Sequence, residues 1–160
     1  MNLFRKKVSK DEIALLIYQI SYERYLFLKK QFENQLDFKD SLLYMLTVIV
    51  SSSLTKRILK FNNKILNYDI VDEVDKFVYN SIPDEKSKIN YCQYYVYIRD
   101  EIWNIINNDS SDMVLNLSNY FINEITEDQN TDYEPRSYMI NILTNWHFET
   151  KNLLKQLKII

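Results

Sequence analysis

Glycine is absent from the 160-residue sequence, and proline occurs only at Pro83 and Pro135. Phosphate-binding loops and dinucleotide-binding turns depend on glycine, because a side chain would block the close approach of the backbone to a phosphate. The sequence therefore excludes both nucleotide-binding motifs. Tight hairpin turns with positive φ also favour glycine, whereas helices are weakened by it. The missing glycine thus favours an all-α fold over a compact β fold.

Cysteine and histidine occur once each, as Cys92 and His147. A single cysteine excludes an internal disulfide, and two such residues are too few for a zinc finger. The Glu-x-x-His motif of ferritin-like di-iron proteins is also missing, since Thr144 stands three residues before His147. The sequence therefore assigns no catalytic, cofactor-binding or metal-ligating residue, and it favours a protein that needs no cofactor.

The formal net charge is −2, which does not indicate nucleic acid as a partner. The N-terminus has no apolar signal-peptide core, and no later apolar run is long enough to span a membrane. Together with the lone cysteine, this predicts a cytoplasmic protein. Asn, Ile, Lys, Tyr and Phe, whose codons are AT-rich, are abundant. This composition indicates an AT-rich genome, bacterial or viral.

The longest apolar run extends from Leu42 to Val50. At about 100° per residue its side chains cover every side of a helix, which is typical of a buried helix. The run is far shorter than the ~20 residues that cross a bilayer. Its β-branched end is also compatible with a strand, but the flanking sequence extends the segment well beyond strand length. We predict a buried central helix over about residues 37–62.

Capping signals and apolar stripes at helical spacing predict about six helices in one domain over residues 1–160. The clearest start is a capping box at Ser9 and Glu12. Residues 1–8 form a basic lead that we expect to be solvated and partly flexible. A second interpretation of this lead is a weak membrane contact through Leu3 and Phe4.

Arg24 lies in the middle of an apolar helix face, where an isolated charge is costly. One interpretation is an internal salt bridge at a helix crossing. The other is an anion-binding arginine at the floor of a cleft. A tyrosine stripe on the fourth predicted helix, comprising Tyr91, Tyr94 and Tyr95, forms either core or the wall of such a pocket.

Two functional hypotheses follow. The first is a non-enzymatic interaction protein (a regulator, inhibitor, adaptor or immunity-type factor) that binds another protein or itself, because the aromatic side chains exceed what six stripes can bury. Its contact surface is expected on the tyrosine face of the first helix or the outer side of the last: Tyr18, Tyr22, Tyr25, Tyr138 and Phe148. The alternative is a small-molecule or anion-binding protein, or an enzyme, with an interhelical pocket around Arg24 and the tyrosines.

Overall fold

The computed structural model describes residues 5–61, 69–108, 111–126 and 133–160. Within these ranges the chain forms six α-helices and two short strands. In chain order they are β1 (Lys6–Val8), α1 (Lys10–Phe32), α2 (Asp40–Phe61), α3 (Ile70–Ser81), α4 (Glu85–Asn107), α5 (Met113–Ile125), α6 (Tyr133–Gln156) and β2 (Leu157–Ile159). The predicted all-α bundle of about six helices is confirmed.

The centre of the bundle is α2. Every residue from Met45 to Thr55 is buried, and α2 packs against each of the other five helices. The apolar run that begins at Leu42 is helical throughout, so the strand interpretation is wrong. The predicted bounds of the central helix, about 37–62, agree with the observed bounds to within three residues.

Three buried hydroxyls of α2, those of Thr47, Ser52 and Thr55, are bonded to carbonyls of the same helix, whereas that of Ser53 has no hydrogen-bond partner among the described residues. Thr47 donates to the carbonyl of Leu43 at 2.7 Å, and Thr55 donates to the carbonyl of Ser51 at 2.9 Å. Such bonds satisfy a buried hydroxyl without a partner from another helix. The helix therefore continues through its serine and threonine segment without leaving the core.

By length and composition, the segment Asp40–Lys60 would be able to cross a membrane. The apolar run itself ends at Val50, but the uncharged serines and threonines that follow extend the segment of sufficient mean hydropathy. In the bundle, 78% of the most apolar part of this helix is buried against other helices. A core helix gives this pattern, so the composition of α2 is weak evidence for a membrane span.

Local capping explains where several helices begin. The Ser9 hydroxyl accepts from the Glu12 amide at 3.2 Å, and the Glu12 carboxylate accepts from the Ser9 amide at 2.6 Å, which completes the predicted capping box. Asp69 and Asp84 cap α3 and α4 in the same way, each accepting from a backbone amide of the first turn.

The basic lead differs in part from the expectation of a solvated, partly flexible end. Its strand β1 pairs in parallel with β2, in a register that joins Lys6 to Leu157. Val8 is buried while Lys6 and Lys7 are exposed. Burial of Val8 and pairing of its backbone with the far end of the chain hold this segment against the bundle. The proposed membrane contact through Leu3 and Phe4 lies outside the described residues.

Candidate functional site

Arg24 is buried where α1 crosses α2 and α6, with 7% of its surface exposed. Its Nη1 donates to the Ser51 hydroxyl at 3.1 Å. Its Nη2 is within hydrogen-bond distance of three acceptors on α6: the Trp146 carbonyl at 3.2 Å, the Thr150 hydroxyl at 3.2 Å and the Glu149 carboxylate at 3.3 Å. Burial lowers the pKa of Arg24, and the hydrogen bond and charge of Glu149 oppose that shift.

These contacts are the internal salt bridge that the sequence suggested for Arg24. Both terminal nitrogens already have acceptors, and the adjacent carboxylate of Glu149 would repel a second anion. Arg24 also borders an open cleft of about 450 Å³ between α1 and α6, whose other residues include Glu23 and Tyr138. The anion-binding interpretation thereby loses its main support.

The α4 tyrosines do not surround Arg24. Tyr91 donates to the Asp75 carboxylate, and Tyr95 is buried with its hydroxyl 3.4 Å from the Val71 carbonyl. Burial is the main cause that raises the pKa of both phenols, and the charge of Asp75 adds to it. Tyr94 is 60% exposed. The candidate pocket of the sequence analysis is therefore divided between separate places in the fold.

Tyr91 and Tyr94 instead line a second cleft, of about 440 Å³, where the start of α2 meets α3 and α4. Its surface is mainly apolar, and it also includes the polar side chains of Lys39, Ser41, Ser87 and Asn90. The remaining lining residues are Leu42, Tyr44, Met45, Val78 and Ile82. We call it the α2–α3–α4 cleft. Its size and lining are typical of a site for a small apolar molecule.

The tyrosines of α1 mostly pack against other residues of the bundle. Tyr18 stacks on Phe77 of α3, with ring centroids 5.5 Å apart, and the Tyr44 hydroxyl donates to that of Tyr18 at 3.2 Å. Tyr25 is 8% exposed and donates to Asp40 at 2.9 Å. Tyr22, which is 46% exposed, lies at the outer edge of this cluster.

The two candidate contact residues of α6 differ from each other. Tyr138 is half-buried, and its ring meets that of Phe32 edge-on at 6.4 Å. Phe148 is 60% exposed. Of the five residues predicted for a partner surface, Tyr22 (46% exposed) and Phe148 (60% exposed) are therefore the two that present a large part of their surface to solvent.

The solvent-exposed side of α4 carries a group of large apolar side chains that the sequence analysis did not single out as a surface. Ile89, Val96 and Tyr97 are 50–60% exposed. We call these three residues the α4 outer face; Tyr94, which is also exposed, lies on the side of the helix that borders the α2–α3–α4 cleft. The signal was present in the sequence, because Ile89 and Val96 repeat at a spacing of seven residues on the side opposite the buried stripe. This second apolar side was not recognised because the buried stripe alone was sufficient to predict an amphipathic helix.

The one histidine and the one cysteine do not form a reactive pair. The Nδ1 atom of His147 is buried without a hydrogen-bond partner among the described residues. Partial burial is the main cause that lowers the pKa of His147, followed by the positive charges of Lys151 and Arg57. Cys92 is exposed on α4. Within the described ranges, no group of three or more His, Cys, Asp or Glu side chains is placed to hold a metal ion.

Neither the fold nor these sites connects the chain to a family. No protein-family model matches the chain, and no significant match was found among curated proteins or among solved structures.

Proposed function

We propose that the chain is a non-enzymatic protein-interaction module that acts in the cytoplasm and binds through the α4 outer face. The observation that carries the proposal is the exposure of this face, where Ile89 and Tyr97 are each about 60% exposed. Large apolar side chains exposed on one side of a helix are unfavourable in water, and groups of them tend to mark sites that a partner covers.

The α4 outer face is also held rigidly, which favours binding. The opposite side of α4 is anchored in the core by Tyr95, Ile98, Ile102 and Ile106, all of which are buried. The helix is 23 residues long and is capped by Asp84. A preformed helical surface loses little conformational entropy when a partner docks on it. Aromatic residues such as Tyr97 contribute strongly to such contacts.

The test compares the wild-type protein with a Val96→Ser/Tyr97→Ser double variant. Tagged proteins are used for affinity capture from the native cell with quantitative mass spectrometry, and light scattering measures self-association. We expect partner recovery, or the dimer signal, to fall at least fivefold in the double variant. Phe148→Ser, which changes an equally exposed aromatic residue on α6, serves as the matched control and should retain binding. A strictly monomeric protein that captures nothing would contradict the proposal.

The α2–α3–α4 cleft favours a second candidate function, the binding of a small apolar molecule. Its volume of about 440 Å³ falls in the range of natural ligand sites. A thermal-shift screen of small apolar and aromatic compounds tests this function. A hit should raise the melting temperature of the wild-type protein and not that of Asn90→Trp, whose larger side chain would occupy the cleft. A Glu23→Gln variant, changed at an exposed residue of the cleft between α1 and α6, should respond like the wild type.

A further inference from the structure

We infer that the partner of the α4 outer face is a second copy of this chain, bound so that the two α4 helices run antiparallel; this inference rests on the proposed function. The first support is spacing. Lys86, Ile89, Gln93, Val96 and Asp100 follow one another at intervals of three and four residues, and all five are exposed. Side chains at this spacing form one line along a helix, as in helices that pair lengthwise. We call this line the α4 seam.

The charges of the α4 seam select the orientation. Of the two charged residues of the seam, Lys86 lies near the start of α4 and Asp100 lies toward its end. In a parallel pair, each charge would face its own copy and repel it. In an antiparallel pair, Lys86 of one copy faces Asp100 of the other. Two-fold symmetry forms this contact twice, so the seam is complementary to itself.

The apolar residues fit the same register. If Lys86 of one copy lies opposite Asp100 of the other, the midpoint of the contact falls at Gln93. Ile89 of each copy then lies opposite Tyr97 of the other, with Val96 next to them. The apolar side chains on the two sides of Gln93 are thus brought together, and the charged pairs lie at the ends. In this arrangement the two Gln93 side chains meet at the midpoint, apolar side chains flank them, and charged residues form the rim, as they do in known protein interfaces.

The charges of the seam remain accessible to a second copy. Asp100 accepts a hydrogen bond from Arg99 at 3.1 Å, and 61% of its side chain is exposed. Arg99 also bonds Asp72 of α3 at 3.1 Å, which holds the guanidinium against the bundle. Among the described residues, Lys86 takes part in no ion pair. Its charge therefore has no internal partner to give up when a dimer forms.

One helix from each copy makes a small interface, and small interfaces are usually weak and reversible. We therefore expect a monomer–dimer equilibrium with a dissociation constant in the micromolar range. Sedimentation velocity and light scattering over a concentration series across that range measure it directly. Helical circular dichroism and the melting temperature show that each variant remains folded. All substituted residues are exposed, so the fold should be retained.

The decisive experiment exchanges the charges at the two ends of the seam. Lys86→Glu and Asp100→Lys each replace two attractive contacts in the dimer with two repulsive ones, so each single variant should raise the dissociation constant about tenfold. The double variant restores opposite charges in the antiparallel register and should return to within about threefold of the wild type. Val96→Asp should abolish the dimer, and Phe148→Ser should leave it unchanged.

A protein that stays monomeric throughout the series would overturn the inference. It would also be overturned if the single charge variants dimerised like the wild type, or if the double variant failed to recover. A dimer lost in Phe148→Ser but kept in Val96→Asp would place the self-contact on α6 instead. If the protein is monomeric but still captures another protein through the α4 outer face, the proposed function stands and the inference of a second copy fails.

Discussion

Arg24 has a structural role at the crossing of three helices. It is 7% exposed, and its guanidinium joins Ser51 of α2 to Thr150 and the Trp146 carbonyl of α6. We expect Arg24→Ala to lower the free energy of unfolding by about 3 kcal/mol, because the change leaves buried acceptors unpaired and opens a cavity. Urea unfolding at neutral pH measures this loss.

Glu149→Gln provides the comparison that separates this network from a simple ion pair. The Glu149 side chain is 65% exposed, so removing its charge should cost less than about 1 kcal/mol. The free energy of unfolding lost in Arg24→Lys should lie between the losses in Arg24→Ala and Glu149→Gln, because an ammonium group cannot reach all of the same acceptors. If Arg24→Ala cost no more than Glu149→Gln, the structural role given to Arg24 would be wrong.

His147 makes the stability of the protein depend on pH near neutrality. Partial burial, with Lys151 and Arg57 nearby, holds its pKa below the ordinary value of 6.5. The unfolded chain therefore takes up the proton first as the pH falls. The stability that neutral His147 contributes is complete above this ordinary value and is lost below it. We expect the loss between about pH 7.5 and about pH 5.5 to be less than about 1 kcal/mol, because the ring is partly exposed.

The measurement is the urea midpoint at both pH values. His147→Gln should flatten the difference between them, since the chain has no other histidine. Lys151→Gln should reduce the difference partially, because removing a neighbouring positive charge allows the pKa of His147 to rise. If the difference between the two urea midpoints were unchanged in His147→Gln, the pH dependence would come from other groups.

At the scale of the elements, α1 depends on its first turn. Ser9 and Glu12 exchange hydrogen bonds that satisfy amides left without helical partners. We expect Ser9→Ala to lower the free energy of unfolding by about 1 kcal/mol. Ser9→Asp, which keeps an acceptor at the cap, should retain most of the stability in the same urea titration. Equal losses in the two variants would show that the cap contributes little.

The helices could be predicted from the sequence because their signals are local. The capping box at Ser9 and the cap at Asp84 each involve residues three positions apart, and the apolar stripes repeat within a few turns. The pairing of β1 with β2 could not be predicted in this way. Lys6 and Leu157 lie at opposite ends of the chain, and a three-residue strand has no period of its own.

The candidate sites were harder to predict than the helices because exposure depends on which helices become neighbours. Tyr25 and Tyr22 look equivalent in the sequence, yet Tyr25 is buried beside Asp40 while Tyr22 is 46% exposed. Arg24 was recognised from its position on an apolar face, but its partners on α6 are distant in sequence. The α4 outer face required knowledge of which side of α4 meets α2 and α5.

At the scale of the whole molecule, α2 links the bundle into one cooperative unit. It packs against all five other helices, so a destabilising substitution at its centre should weaken the packing of the whole bundle. Leu46 is fully buried there. We expect Leu46→Ala to lower the free energy of unfolding by about 3 kcal/mol through lost burial and the cavity left behind. Leu26→Ala, the same change at a site that is 46% exposed, should cost less than about 1 kcal/mol.

Cooperativity is tested by following two signals in one urea titration. Far-UV circular dichroism reports all helices, and tryptophan fluorescence reports Trp103 of α4 and Trp146 of α6. Because both of these helices pack on α2, the two transitions should coincide in the wild type. In Leu46→Ala they should shift together to lower urea. Transitions that separate in the variant would mean that α4 and α6 unfold independently of the central helix, and the bundle would then lack the single core on which its surfaces are held.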